Sequence, residues 1–594
     1  MELKDILITI LCAAIYLVFG FKIIKKAFKN IKRGEIFDEN FLMVVASIGA
    51  ICVGEWEEAI AVMVLYRIGE WLQAKAVGKS RKAITDLMDI RPDYANLLVG
   101  DPSKNESEKK DPSEIKVGDL ILVLPGERVP LDGEVVEGSS RLDVAALTGE
   151  SMPQDAQVGS TVLSGCINLD GLLKIKVTRD SDQSTANRIL ELVEEAAASR
   201  AKAENFITRF AAIYTPAVCG IALVLAVIPP LILGGGSAVW TDWIHRALVF
   251  LVTSCPCALV ISIPLGFFGG IGGASSKGIL IKGGNYLEAL AKADAVVFDK
   301  TGTLTKGVFK VVAVHPHSFA EEKLLELAAH AESFSNHPIG RSLAEEYGKP
   351  VDKSRVTNAQ EFAGMGITAE VDDLKISCGN EKMMDMLGIA WHECEIPGTM
   401  VHVVIEGVYA GHITISDLVK EDSSEALTLL KKQGIKLLAM LTGDKKKISD
   451  AVLKQLPDLN EAHSELMPDD KVRIVKDYMN SHDVAFVGDG INDAPVLTAA
   501  NVGIAMGGMG SAAAVEAADI VLMNDKPSDL ALALRIAKKT MRIVKENVIF
   551  SLGIKLIVLV LAAFGISSMW LAEFADVGVC LLAILNSMRA LRIK

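Results

Sequence analysis

A chain of 594 residues is too long for one hydrophobic core and implies several domains. Half of it is hydrophobic and its mean hydropathy is +0.34, the balance of a protein partly in membrane and partly in water, while a net charge of -13 gives no reason to expect nucleic acid as a partner. The nine cysteines are scattered, mostly inside apolar segments, which does not suggest a disulfide framework and favours reduced, cytosol-facing domains.

The first apolar run, Ile6 to Phe21, is followed by Lys22, Lys25, Lys26, Lys29, Lys32 and Arg33 at the spacing of a basic amphipathic helix. That pattern reads as a span ending on the cytoplasmic side; in a cleaved signal peptide the charges would precede the apolar region. Two further spans are expected, about Phe41 to Val53 and Glu58 to Leu72. From about 75 to 205 the chain is polar and strand-rich, with Gly and Pro punctuation, and carries Leu147-Thr148-Gly149-Glu150-Ser151. A Glu on a tight Thr-Gly turn can orient water, although any exposed turn can carry Glu.

A span from about Phe210 to Leu233 and another from about Ile244 to Gly270 follow, with Trp240 and Trp243 between them as interface anchors. The second contains Thr253-Ser254-Cys255-Pro256-Cys257. Proline frees backbone groups in a membrane helix, and the flanking cysteines place soft ligands there, suited to copper(I), zinc and similar thiophilic metals rather than magnesium, calcium or sodium. The plainer reading of either cysteine alone is a small apolar residue in a packed helix.

Next, the apolar run Ala295-Val296-Val297-Phe298 feeds Asp299-Lys300-Thr301-Gly302-Thr303-Leu304-Thr305. A carboxylate leaving a buried strand into a Gly/Thr loop is placed like a nucleophile, with amides and hydroxyls to hold phosphate; an ordinary strand-to-helix turn is the alternative. Thr442-Gly443-Asp444 and Gly488-Asp489-Gly490-Ile491-Asn492-Asp493 each follow another short apolar run. In a parallel sheet such loops converge beyond the carboxyl ends of the strands, and Lys471 is a candidate source of positive charge. The last two spans, about Asn547 to Phe564 and Met569 to Met588, contain Lys555 and Asp576, ionisable groups costly inside a bilayer.

Together these motifs resemble the P-type ATPases, and Cys-Pro-Cys narrows the resemblance to the heavy-metal-transporting branch. The set Asn547, Lys555, Asp576-Val577-Gly578 and Asn586 is similar to its zinc-, cadmium- and lead-exporting subgroup. The resemblance implies a multidomain α-helical membrane protein of about seven spans. Its soluble parts would be a cytosolic β-rich actuator domain, a Rossmann-like α/β (haloacid dehalogenase-like) phosphorylation domain and an α+β nucleotide-binding domain. The expected divisions are residues 1–76 (three spans, basic segment 22–33), 77–205 (actuator), 206–275 (two spans), 276–305 and 433–540 (phosphorylation), 306–432 (nucleotide-binding) and 541–594 (two spans).

The resemblance also implies roles. Asp299 accepts the ATP γ-phosphoryl group; Asp299, Thr301 and Asp489 hold magnesium; Lys300, Thr301, Thr442, Gly443, Asp444, Lys471, Asn492 and Asp493 complete the phosphorylation site. Glu150, on Thr148-Gly149, positions the hydrolytic water. Glu332, His337, Gly364, Gly366 and Asn380 bind nucleotide, and a Walker loop is not expected, since Gly78-Lys79-Ser80 lacks its upstream Gly. Cys255, Cys257 and Asp576 bind the cargo, with Lys555 as internal counter-charge and Glu58 as an exit residue. His392 and Cys394 read as structural, and Cys580 as packing.

The expected activity is ATP-driven export of zinc or a similar soft divalent cation, cadmium or lead, by a monomer in a plasma (inner) membrane, with catalytic domains in the cytosol and no nucleic acid partner. A copper(I) pump is the alternative within the class, disfavoured by Lys555 and Asp576; a soluble-type phosphatase and a passive channel are the alternatives outside it. Heavy-metal pumps of this kind carry one more span upstream and often a small metal-binding domain, so a truncated start or a short variant is expected.

Overall fold

The computed structural model describes residues 3–33, 39–88, 92, 94–99, 107–144, 153–187, 202–234, 236–254, 257–317, 319–335, 338–362, 364–392, 398–489, 493–507 and 516–591. They form two compact units, one of residues 1–292 with 533–594, the other of residues 293–532.

The first unit opens with helices α1 (Leu3–Lys32), α2 (Glu39–Val53) and α3 (Trp56–Met88). They pack through small and apolar side chains such as Ala46, Ala50, Ala59 and Val62, and Tyr16 on α1 shares a buried 2.8 Å hydrogen bond with Ser47 on α2. The described strands between residues 95 and 177 then form a six-stranded antiparallel sheet and a three-stranded one. Asp132, almost fully buried, accepts hydrogen bonds from the Ser164 and Thr185 amides and the Thr185 hydroxyl, which satisfies a carboxylate that would otherwise be costly to bury.

Helices α4 (Lys202–Ile232), α5 (Ser237–Thr253) and α6 (Cys257–Ser275) follow. The unit closes with the chain's end, where α10 (Pro527–Ala563) enters it and α11 (Met569–Ser587) completes it. Gly269 and Gly273 of α6 lie against Ala590, and Gly270 against Thr540; a β-carbon at Gly270 would stand 2.5 Å from the Thr540 hydroxyl. Small residues let membrane helices approach this closely, which accounts for the glycine-rich run 266–273.

Four stretches among the described residues are long and apolar enough to cross a membrane: Tyr214–Ile232, Ser237–Ser275, Pro527–Ala563 and Met569–Leu591. Residues 255 and 256, within the second, lie outside the described residues. The three spans expected before residue 76 are helices α1 to α3, but α2 has 15 residues, and no comparable stretch lies among the described residues of α1 and α3.

The second unit holds two sheets. In the first, β1 (Ala295–Asp299) lies between β8 (Leu437–Leu441) and β10 (Val484–Gly488), with β9 (Glu461–His463) beyond β8 and β11 (Val502–Met506) and β12 (Ile520–Leu522) beyond β10. Every pairing is parallel, and Asp299 sits opposite Leu441 while Phe298 sits opposite Val487. β1 up to Phe298 and all of β10 are apolar, and both strands are buried along their length, as a sheet covered on both faces requires.

The second sheet is an insertion between β1 and β8. Its antiparallel order is β2 (Thr305–Pro316), β7 (Val408–Val419), β6 (Thr399–Ile405), β5 (Leu374–Gly379), β4 (Gly366–Val371) and β3 (Val356–Phe362). Helix α7 (Glu321–Ala331) covers one face through Leu324, Leu327 and Ala328, and α8 (Glu381–Leu387) caps the end of β5. The insertion leaves the Asp299 loop along β2 and returns along β7, so the two strands tether it directly to that loop.

Candidate phosphorylation, nucleotide and intramembrane sites

The carboxyl end of β1 presents Asp299 between the loops that follow β8 and β10, as the parallel register dictates. Asp299 Oδ2 accepts from the Thr301 amide at 3.0 Å, and Oδ1 lies 2.5 Å from Lys471 Nζ. Lys471, near the start of α9 (Pro468–Met479), also reaches Asp493 Oδ1 at 2.9 Å, so one partly buried ammonium serves two carboxylates. Asp299, Asp489 and Asp493 each offer an oxygen, all within 4.8 Å of one another. Burial, followed by the charge of Asp493, pushes the Asp299 carboxyl up to about 6 against the pull of Lys471. Burial lowers the Lys471 ammonium, but the two carboxylates outweigh it and hold its pKa above the usual lysine value.

The loop is held from beneath. Gly302 has φ +73°, and a β-carbon there would stand 1.6 Å from Asp489 Oδ2, so only glycine fits. Its carbonyl accepts from Lys420 Nζ at 2.7 Å; that buried lysine also reaches Asp525 Oδ1 at 2.7 Å. Lys300 is turned away from Asp299 and pairs with Asp444 Oδ2 at 2.6 Å and Asp417 Oδ2 at 3.6 Å. Thr442 accepts from the Asp444 amide at 3.1 Å, and Gly443 lies between them. Thr301, Thr442, Gly443, Asp444, Lys471 and Asp493 thus gather around Asp299; Asn492, Glu150, Thr148 and Gly149 lie outside the described residues. Lys420, Asp417 and Asp525 were not flagged from sequence. A lysine ending a long apolar strand is the one signal that points to the first of them.

In the inserted domain, Glu332, Gly364, Gly366 and Asn380 line one cleft, together with Phe362 and Met400. Gly366 has φ +148° and backs onto the Cys378 carbonyl, where a β-carbon would stand 2.1 Å away. Asn380 Nδ2 donates to the Gly364 carbonyl at 2.8 Å, closing the loop that forms the cleft wall. Burial, with the charge of Glu361, raises the Glu332 carboxyl to about 7. His337 and Cys394 lie outside the described residues, and His392 is an exposed neighbour of Tyr409.

Within the apolar helices, Lys555 Nζ on α10 lies 2.5 Å from Asp576 Oδ1 on α11 and donates to the Thr253 carbonyl at 3.1 Å. Thr253 ends α5, two residues before Cys255. Cys255 and the side chain of Cys257 lie outside the described residues. Asn547 donates to Ser587 Oγ at 2.8 Å and accepts from Asn586 at 2.9 Å, binding α10 to α11. Cys580 is buried against Ala258 and Leu265. Glu58 Oε2 lies 2.8 Å from His245 Nε2 on α5, a partner that no local pattern in the sequence signals.

A parallel sheet with an aspartate at the end of its central strand, a lysine on it and two further carboxylates beside it defines a phosphoryl-transfer site of the haloacid dehalogenase type. Residues 293–501 match the haloacid dehalogenase-like hydrolase family, and residues 90–194 match the P-type ATPase actuator domain. The chain is 53% identical over 98% of its length to a cadmium, zinc and cobalt-transporting ATPase of Bacillus subtilis (strain 168), covering 82% of that protein. It is 47% identical over 97% of its length to a zinc-transporting ATPase of Synechocystis sp. (strain ATCC 27184 / PCC 6803 / Kazusa), covering 79% of it. Among solved structures it resembles a zinc-transporting PIB-type ATPase in the E2.Pi state, with a TM-score of 0.63 and 35% identity, covering 98% of this chain and 95% of that one. The chain belongs to the heavy-metal-transporting P-type ATPases, membrane translocases that hydrolyse ATP.

Such an enzyme works with ATP and magnesium. The oxygen-only set Asp299, Asp489 and Asp493 fits a hard cation of that kind, since carboxylate oxygens are its preferred ligands.

Proposed function

We propose that this chain exports zinc, cadmium or cobalt, with lead as a further substrate, driven by phosphorylation of Asp299, and that it does so as a monomer in a plasma (inner) membrane. The observation that carries the cargo reading is the buried Lys555–Asp576 pair bonded to the carbonyl of Thr253, which lies two residues before Cys255-Pro256-Cys257 in the sequence. A carboxylate next to two thiolates suits a borderline divalent cation, and a competing ammonium favours its release. Copper(I), which needs no carboxylate, fits this pair poorly. Glu58 with His245 is a second set of oxygen and nitrogen donors, which we assign to the exit path.

In the chemical step an oxygen of Asp299 attacks the γ-phosphorus of ATP, the bond to the bridging oxygen breaks and ADP leaves. Lys471 offsets the charge on Asp299 and the incoming phosphoryl oxygens, while the Thr301 amide and the Thr442 hydroxyl orient them. Asp489, with Asp299 and Thr301, would hold magnesium, which when bound neutralises phosphoryl charge. Lys300, Asp444 and Gly443 fix the facing loop, and Asn492 and Asp493 complete the site around Lys471. Water then attacks the aspartyl phosphate, oriented by Glu150 on the Thr148-Gly149 turn, and phosphate leaves with Asp299 restored. Glu332, His337, Gly364, Gly366 and Asn380 are assigned to the nucleotide.

The test is ATP hydrolysis by the purified chain with zinc, cadmium, cobalt, lead and copper(I), beside Cys255→Ala and Asp299→Asn. Stimulation by the divalent metals, lost in both variants, supports the reading. Stimulation by copper(I) alone overturns the cargo, and hydrolysis indifferent to metal overturns the pump.

A further inference from the structure

Five of the chain's ten histidines, His315, His317, His392, His402 and His412, lie around Tyr409 in the inserted domain. Three of them form a row across adjacent strands: His315 on β2 pairs with His412 on β7, which pairs with His402 on β6. The rings of His315 and His412 are 4.8 Å apart centre to centre, and those of His402 and His412 are 5.9 Å apart. The Nε2 atoms of His315, His402 and His412 are all buried without a hydrogen-bond partner. Three orphaned imidazole nitrogens in one row are unusual, because buried polar atoms are normally satisfied.

Tyr409 explains how the inner two rings are oriented. Its hydroxyl oxygen lies 2.9 Å from His402 Nδ1 and 3.3 Å from His412 Nδ1. A hydroxyl has two lone pairs and one proton, so it can accept an N–H from both rings, and each Nε2 is then a bare lone pair. That is how metal-ligating histidines are held: the second nitrogen donates to an oxygen and the first faces the metal. Burial, and then the neighbouring histidines, hold the His412 imidazole down at about 4, and burial lowers that of His402.

We propose that this row is a binding site for a borderline divalent cation of the zinc class, separate from the Asp299 site and from the intramembrane pair. His315 and His412 form the grip, because among the described residues only Asp299, Asp489 and Asp493 offer three ligand atoms within 4.8 Å of one another. Their rings lie 4.8 Å apart centre to centre, closer than those of His402 and His412 at 5.9 Å. Tyr409 orients His412, and His402 stands beside the pair. The site lies on β2 and β7, the strands that tether this domain to the Asp299 loop, so a cation there would stiffen that tether. The inference does not depend on which metal is exported.

The test is zinc bound per chain at equilibrium, by dialysis and elemental analysis, in the full-length protein and in His412→Gln and His315→Gln. The wild-type chain should hold about one zinc more than either variant, and Tyr409→Phe should weaken that zinc at least about tenfold. ATP-dependent phosphorylation should persist in His315→Gln, which alters a half-buried position and serves if His412→Gln does not fold. Equal zinc content in wild type and folded His315→Gln overturns the proposal, as does an equal loss of the extra zinc when magnesium alone is added in excess.

Discussion

The Lys555 ammonium lies 2.5 Å from Asp576 Oδ1, with both side chains more than nine-tenths buried among the apolar helices. Each group answers the desolvation of the other, and the Thr253 carbonyl accepts a further hydrogen bond from the ammonium. The pair is therefore a single unit, and a metal that takes Asp576 as ligand must displace Lys555.

Removing one partner leaves a buried charge alone, at a cost of about 3–5 kcal/mol, while removing both avoids that penalty. Lys555→Ala should thus lower the melting temperature in detergent more than Lys555→Ala with Asp576→Ala together. A double-mutant cycle read by thermal melting checks this; strictly additive losses would contradict it.

At the phosphorylation site, Lys471 is the ammonium shared by Asp299 and Asp493. Lys471→Ala should reduce labelling of the chain by γ-labelled ATP by roughly a hundredfold or more, the scale of losing one preorganised charge at a site of developing charge. Asp493→Asn should have a smaller effect, because Asp299 keeps the lysine.

Gly302 and Gly307 give a matched pair, since both have positive φ, +73° and +66°. A β-carbon at Gly302 would overlap Asp489 Oδ2, whereas at Gly307 the nearest atoms are 3.4 Å away or more. Gly302→Ala should abolish phosphorylation. Gly307→Ala should cost only about 1–2 kcal/mol of stability, the left-handed backbone penalty, and leave phosphorylation measurable.

Glu332 supplies a pH dependence. Its carboxyl is raised from 4.5 to about 7 in the folded chain, chiefly by burial, so between those values the folded state holds a proton that the unfolded state has lost. Stability from this group is full below 4.5 and is lost as pH rises through about 7. Melting curves from pH 5 to 8 should fall less steeply in Glu332→Gln than in wild type, and parallel curves would contradict the assignment.

Legibility in the sequence followed locality. An apolar strand, an aspartate and a Gly/Thr loop are contiguous, so the surroundings of Asp299 could be read from three short runs, and the parallel sheet then brought their ends together. Lys420 was not legible in this way. It reaches Gly302 only because β7 returns antiparallel to β2 after more than a hundred residues. His245 is likewise 187 residues from Glu58, and the histidine row depends on strand register, which places His315, His412 and His402 opposite one another. The apolar helices from Tyr214 onward, whose apolar runs are long and almost free of charge, were easier to read than the more charged α1 and α3 and the 15-residue α2.

The central claim is that metal at Asp576 permits phosphorylation of Asp299. Its most direct test is acid-stable labelling of the purified chain by γ-labelled ATP, with and without zinc, in wild type, Asp299→Asn and Asp576→Asn. The account predicts zinc-dependent label in wild type and none in Asp299→Asn; in Asp576→Asn, label should no longer respond to zinc. Label in Asp299→Asn, or an undiminished zinc response in Asp576→Asn, would contradict it.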